Sequence, residues 1–151
     1  MKIVPYKETY KNSVFEFTDI CFKELGKEFE PTGRHSFYND IETTFEVFYC
    51  VISETDMDNN VFGTVGLKKI DNDTVELKAF YLHKQLRGKG LGKTMLETAI
   101  SKAKELGYKS IVLDSVSKYK AAQRLYEKAG FVNTDRYNDN QYADIFMKLE
   151  L

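Results

Sequence analysis

Apolar residues follow two different spacings along this chain of 151 residues. In the first, short runs rich in β-branched and aromatic residues are bounded by polar clusters, a pattern typical of β-strands separated by turns. The polar clusters at 56–60 and 71–73 are short, which favours antiparallel neighbours and hence a meander. The strands predicted in this first part of the chain span residues 2–6, 47–53, 61–70 and 74–82.

The second spacing is helical, with apolar residues three or four positions apart. A first helix, which Gly26 can end, is indicated by Val14, Phe17, Cys21 and Leu25. A long amphipathic helix is predicted at 91–106 and another at about 118–128, each followed by a glycine that can end it. Residues 27–43 are predicted to be irregular or to contain a short second helix.

Three more strands complete the predicted sheet. The strand at 110–116 follows the long helix, so it should lie parallel to the strand at 74–82. Closing strands are predicted at 131–137 and 142–149, with a turn at 138–140 between them.

A glycine-rich stretch joins the strand at 74–82 to the helix at 91–106. It reads Gln85-Leu86-Arg87-Gly88-Lys89-Gly90-Leu91-Gly92-Lys93. Alternate glycines leave the backbone N–H groups accessible, and the unpaired N–H groups of the first helical turn point towards the same place. Three basic side chains add charge, so the stretch predicts a phosphate-binding loop. A glycine-rich turn without a ligand remains the alternative.

Neither common nucleotide motif fits this stretch. The dinucleotide fingerprint needs the spacing G-x-G-x-x-G, whereas the glycines here alternate. The P-loop needs a glycine where this chain has Arg87, although Gly92-Lys93-Thr94 matches the end of that motif.

Composition narrows the remaining function classes. The formal net charge of −1 gives no general attraction to nucleic acid or to a membrane surface. The two cysteines lie within apolar patterns, which predicts small core residues in a reducing compartment, and the scattered Cys and His residues do not predict a metal site. The length and the polar amino terminus lead us to expect one domain over residues 1–151, located in the cytoplasm.

Two motifs carry a resemblance to a known family. Gln85-x-x-Gly88-x-Gly90 resembles the (Gln/Arg)-x-x-Gly-x-(Gly/Ala) loop of the GCN5-related N-acetyltransferases, the GNAT family. Leu125-Tyr126-Glu127-Lys128-Ala129-Gly130-Phe131 is similar to that family's (L/F)-Y-x-K-x-G-F segment. The resemblance implies an α/β fold with a mixed, mostly antiparallel sheet of six or seven strands and helices on both faces.

The resemblance also implies acetyl-coenzyme A as cosubstrate. In the family the fourth and fifth strands splay apart, so the backbone of Phe80, Tyr81 and Leu82 would pair with the pantetheine arm. The pyrophosphate would be held mainly by the backbone N–H groups of Arg87, Gly88, Lys89, Gly90, Leu91, Gly92 and Lys93. An ordinary paired strand and solvated lysines are the alternatives.

Two residues are expected to be catalytic. Tyr126 occupies the family position that often protonates the leaving thiolate, and it could otherwise be only a packed aromatic residue. Glu76 lies where several members carry a general base, unless it serves only an ion pair with Lys78 or a neighbouring strand. Strand alternation predicts that Glu76, Lys78, Phe80 and Leu82 share one face.

The expected function is acetyl transfer to a primary amine by direct attack in a ternary complex. A non-catalytic acyl-coenzyme A-binding module is the alternative, supported by Tyr119 where many members have asparagine. The acceptor, a small-molecule or peptide amine, should lie between the segments 28–40 and 136–142, and a homodimer remains open. A cationic acceptor would suit the acidic residues Glu28, Glu30, Asp40 and Glu42, unless these are simply solvated.

Overall fold

The computed structural model describes residues 1–55 and 57–151, which excludes Asp56 at the start of the turn predicted at 56–60. Within those residues seven strands form one sheet in the order β1-β2-β3-β4-β5-β7-β6. The strands are β1 (Lys2–Pro5), β2 (Val47–Ile52), β3 (Val61–Lys69), β4 (Thr74–Leu82), β5 (Ser110–Ser115), β6 (Val132–Asn133) and β7 (Ile145–Glu150). Every neighbouring pair is antiparallel except β4 and β5, which confirms both the meander and the parallel crossover.

Helices cover both faces of the sheet, as predicted. They are α1 (Lys11–Glu24), α2 (Ile41–Thr44), α3 (Leu91–Glu105) and α4 (Lys120–Ala129), with 3-10 turns at Glu8–Tyr10, Ser36–Asp40 and Lys84–Leu86. One apolar core joins α3 and α4 to the sheet, with Met95 and Leu96 packed among strand residues such as Leu67. The other core lies under α1 and α2 and includes Phe17 and Cys21.

The two closing strands are shorter than predicted. Of the strand predicted at 131–137 only the two residues of β6 are extended and paired, and the strand predicted at 142–149 begins later, as β7. The intervening segment is held by side chains instead of a strand ladder. Arg136 donates hydrogen bonds to the carbonyl oxygens of Asn140 and Ala143, and the Asp144 carboxylate accepts two from Ser117. The Arg136 bonds are local and compete with strand pairing, and the Ser117 bonds come from 27 positions away, which explains the wrong prediction for this segment.

A β-bulge interrupts β4 and overturns the predicted alternation. The register with β3 shifts between Thr64 and Gly66, and Ala79 has a left-handed φ of 55°. Beyond this point the side chains change faces, because one extra residue opposes the partner strand. Phe80 therefore packs against the α3–α4 core, and Ala79 and Tyr81 pack against the α1–α2 core. The prediction that Glu76, Lys78, Phe80 and Leu82 share one face is wrong.

Strand β4 is paired with β5 over only three residue pairs, from Thr74↔Ser110 to Glu76↔Val112. From Leu77 onwards the edge of β4 that faces β5 has no strand partner among the described residues. Beyond Val112, β5 continues to pair with β7 on its other side. The two strands thus diverge and leave an opening through the sheet at their carboxyl ends.

None of the helices in 1–55 and 57–151 has the length and apolar character needed to cross a membrane.

Candidate functional site

A cleft of about 1630 Å³ lies at the divergence of β4 and β5. Its walls come from β4, the end of α1 with the segment that follows it, the first turns of α4, and the loop before β7. Of the residues predicted for the site, only Lys89 and Leu91 are not part of its lining. The predicted residues that it brings together are Glu76, Phe80, Tyr81, Leu82, Arg87, Gly88, Gly90, Gly92, Lys93 and Tyr126.

The glycine loop forms one end of this central cleft. Gly88 and Gly90 have φ angles of 76° and 85°, which side-chain-bearing residues rarely adopt, and a Cβ on either would meet only open space. Helix α3 begins at Leu91, and no side chain caps its amino terminus. The N–H groups of its first turn therefore remain available for an anion.

The basic side chains of the loop are only partly available. The Arg87 Nε donates a hydrogen bond to the Leu82 carbonyl oxygen at 2.9 Å, and its Nη2 lies 3.3 Å from Glu24 Oε2. The Lys93 Nζ is 3.8 Å from Glu97 Oε1. Arg87 thus ties the end of β4 to α1, and the loop offers an anion chiefly its backbone N–H groups.

Tyr126 lies in α4 opposite the end of β4. Its buried ring packs between Phe80 and Phe131, with centroid separations of 6.0 Å and 5.9 Å. Burial, and then the charge of Asp114, raise the pKa of its hydroxyl well above the ordinary value. The hydroxyl stays protonated at neutral pH, and none of the hydrogen bonds within the described residues engages it. It can therefore donate a hydrogen bond to a ligand in the cleft.

Glu76 is buried in the wall of the cleft and held by neighbouring side chains. The Tyr137 hydroxyl donates a hydrogen bond of 2.6 Å to Oε2, and Asn138 Nδ2 lies 3.5 Å from the same oxygen. The Lys78 Nζ is 3.5 Å from Oε1, so the ion pair considered from the sequence is present. These contacts fix the direction of the carboxylate, whether or not it also accepts a proton from a substrate.

Sequence reasoning did not identify Asp114 or the contacts that Tyr137 and Asn138 make with Glu76. Asp114, at the end of β5, accepts hydrogen bonds from Asn138 Nδ2 at 2.7 Å and Asn140 Nδ2 at 3.2 Å. Burial and the neighbouring Glu76 raise the pKa of Tyr137 well above its ordinary value, so this phenol remains a donor. The segment 136–142 was predicted to be a wall of the site, but the strand predicted there gave no reason to expect Tyr137 beside Glu76.

Tyr119 precedes α4 and lines the cleft. Its ring lies between two lysines, with Lys27 Nζ at 5.3 Å and Lys118 Nζ at 5.5 Å from the centroid. Its hydroxyl is buried, and no hydrogen-bond partner is found for it in the part of the chain that the structure describes. A buried polar group without a partner is costly, so a ligand that supplied one would be favoured.

Comparison with known proteins gives consistent matches. The model of the acetyltransferase (GNAT) family matches residues 12–131. An uncharacterized N-acetyltransferase of Schizosaccharomyces pombe, C1271.07c, is 35% identical over 77 residues, which are 50% of this chain and 47% of that protein. The chain thus matches about half or less of the length of the curated relatives.

Solved structures extend the likeness to the whole fold. A GNAT-family acetyltransferase from Staphylococcus aureus Mu50 superposes with a TM-score of 0.87 at 24% identity, covering 99% of this chain and 98% of that one. A GNAT-family acetyltransferase from Elizabethkingia anophelis, solved with acetyl-CoA bound, gives a TM-score of 0.67 at 22% identity, with coverages of 99% and 97%.

Proposed function

This chain belongs to the acetyltransferase (GNAT) family, and we propose that it transfers an acetyl group from acetyl-CoA to a primary amine of a small molecule or peptide. The observation that carries the proposal is a single cleft that joins an open glycine loop, an unpaired strand edge and a buried tyrosine hydroxyl.

Two parts of acetyl-CoA, the pyrophosphate and the pantetheine arm, would each find a complementary feature in the cleft. The pyrophosphate would bind the backbone N–H groups between Gly88 and Lys93, at the uncapped start of α3. The amides of the pantetheine arm would pair with the free edge of β4 at Phe80–Leu82 as another strand would. The unpartnered Tyr119 hydroxyl would supply one more polar contact in place of the asparagine that is common in the family.

The proposed chemistry is direct attack. The amine nitrogen attacks the thioester carbonyl carbon, a C–N bond forms, and the C–S bond breaks. Glu76 accepts the proton that the amine loses, directly or through water, and the Tyr126 hydroxyl donates to the departing sulfur as negative charge develops there. No acyl-enzyme is required, which agrees with the buried thiols of Cys21 and Cys50, whose pKa values burial raises to about 12.

Ligand binding is tested by thermal unfolding with acetyl-CoA, ATP or NAD. A ligand at about 100 times its Kd stabilises the folded state by roughly 2.7 kcal/mol. We expect a shift with acetyl-CoA that is lost in Gly90→Asp, because the new carboxylate repels the pyrophosphate. The left-handed φ of 85° at Gly90 strains the backbone of this variant, although aspartate adopts that conformation more readily than most side-chain-bearing residues.

Gly107→Asp is the matched control. Gly107 has a φ of 87°, close to that of Gly90, and a Cβ there also meets nothing within 4 Å. Both variants therefore carry similar backbone strain, but Gly107 lies after the other end of α3. A retained acetyl-CoA shift in Gly107→Asp would locate the effect at the glycine loop. No shift with the parent protein, or a larger one with ATP, would refute the proposed cofactor.

Catalysis is tested by following thiol release from acetyl-CoA with a panel of primary amines. Tyr126→Phe should lower kcat about tenfold or more while leaving acetyl-CoA binding unchanged, because the hydroxyl bonds no protein group. Binding without turnover of any amine would instead support the non-catalytic module.

A further inference from the structure

The charges around the cleft point to the kind of acceptor. Nine Lys and Arg side chains line it, against three Asp and Glu side chains. Two of the three acids, Glu76 and Asp114, already accept hydrogen bonds from the protein. The acidic residues 28, 30, 40 and 42, which could have suited a cationic acceptor, are absent from the lining. The cleft therefore has an excess of positive charge.

Three of these cations form what we call the basic wall: Lys27, Arg34 and Lys118. None of the three takes part in a salt bridge within residues 1–55 and 57–151, whereas Lys78 and Arg87 each have a carboxylate partner. The Arg34 guanidinium carbon lies 4.0 Å from the ring centroid of Tyr142, which belongs to the opposite wall of the cleft.

The members of the basic wall also lie close enough to affect one another. Burial, and then the charges of Arg34 and Lys118, lower the pKa of Lys27, and the charge of Asp114 opposes this only in part. Burial and the charges of Arg34, Lys27 and Lys78 lower the pKa of the neighbouring His35 to about 4, so this imidazole adds no further charge at neutral pH. Unpaired like charges at close range repel, and a bound anion would relieve that repulsion.

We propose that the acceptor is a primary amine that also carries a carboxylate, with an α-amino acid as the simplest case, and that the basic wall binds the carboxylate. The inference rests on the proposed acetyl transfer. Arg34 and Tyr142 belong to the segments that follow α1 and precede β7, and both residues line the cleft together with Glu76. Binding of the carboxylate there would leave the amine free to approach Glu76.

The test compares each of the common L-amino acids with its carboxamide at saturating acetyl-CoA, with kcat/KM from thiol release as the readout. The acid carries a negative charge that the amide lacks. The amide has the less basic amine, so a larger fraction of it is unprotonated at a given pH, and amine reactivity alone would favour the amide. We expect at least one acid to exceed its amide by about tenfold or more, because hydrogen bonds to a charged carboxylate are stronger than those to a neutral amide.

Arg34→Gln and Lys27→Gln should each reduce that preference by raising the KM for the acid, with the KM for acetyl-CoA unchanged. Arg34 is exposed, so its replacement should not disturb the fold. Arg124→Gln is the matched control, because Arg124 is exposed on α4 and lies outside the cleft lining. It should leave both KM values at the parent level.

Several outcomes would overturn the inference. Amides used as well as acids would do so, as would a preference that survives both basic-wall variants. A raised KM for acetyl-CoA alone would assign the basic wall to the phosphates of the cosubstrate. If acetyl-CoA binds but no amino acid is acetylated, the inference fails while the cofactor site stands; if acetyl-CoA does not bind, the proposed function itself fails.

Discussion

One buried hydroxyl contacts the β4 bulge, so a change at Thr64 tests whether that contact holds the end of β4 in place. Thr64 is fully buried in β3, and its Oγ1 donates a hydrogen bond of 2.6 Å to the carbonyl oxygen of Ala79. Ala79 is the residue in the left-handed conformation, which costs an alanine roughly 1–2 kcal/mol. Thr64→Val keeps the side-chain shape and the strand preference but removes the donor.

The loss should be measurable. A carbonyl oxygen left without its partner in a buried site costs about 1–3 kcal/mol. For a chain of this size each kcal/mol lowers Tm by about 2–4 °C. The bulge also turns Phe80 towards Tyr126, at a centroid distance of 6.0 Å. We therefore expect Thr64→Val to raise the KM for acetyl-CoA as well as to lower the free energy of unfolding.

Urea unfolding at equilibrium measures the first effect, and thiol-release kinetics measure the second. Thr18→Val is the control, because Thr18 is as fully buried as Thr64. Its hydroxyl lies near that of Tyr38, yet no well-formed hydrogen bond joins it to any described residue. Thr18→Val should be neutral or stabilising. A Thr64→Val protein with the stability and kinetics of the parent would refute the claim that this bond holds the bulge.

Three further predictions test packing and protonation. Gly66→Ala should destabilise by about 1–3 kcal/mol in urea unfolding, because its Cβ would lie 2.7 Å from Phe45 Cε1. Stability should fall as the pH drops from about 6.5 towards 4. In this range the unfolded chain binds a proton at His35, whereas in the folded chain the pKa of His35 is lowered to about 4 and the imidazole stays neutral. In His35→Gln the difference between the urea midpoints at the two pH values should become smaller. Iodoacetamide at about pH 8 should label Cys21 and Cys50 only after unfolding, because both thiols are buried and their pKa values are raised to about 12. Mass spectrometry counts the labels, and rapid labelling of the folded protein would contradict this prediction.

Local sequence rules predicted most elements of the sheet because each strand of the meander has its own apolar pattern and a short turn. Strand β4 was predicted at its observed bounds. The same rules failed at Ala79, since an alanine in a strand gives no sign of a positive φ, and the bond that supports it comes from Thr64, fifteen positions earlier. They failed again after Phe131, where the contacts of Arg136 and Asp144 replace a strand ladder.

The same distinction between local and distant contacts decides which parts of the candidate site could be predicted from the sequence. The glycine loop is local, so its residues and its position before α3 were predicted together. The surroundings of Glu76 are not local. Tyr137 reaches it from 61 positions away, and does so because the segment after β6 leaves the sheet. The side of the cleft proposed for the acceptor is thus formed where strand pairing ends, whereas the side proposed for the cofactor is formed by a local sequence motif. Variation in the loop before β7 could therefore change the acceptor without disturbing the cofactor loop, which is why the acceptor must be inferred from the charges that the folded chain brings together.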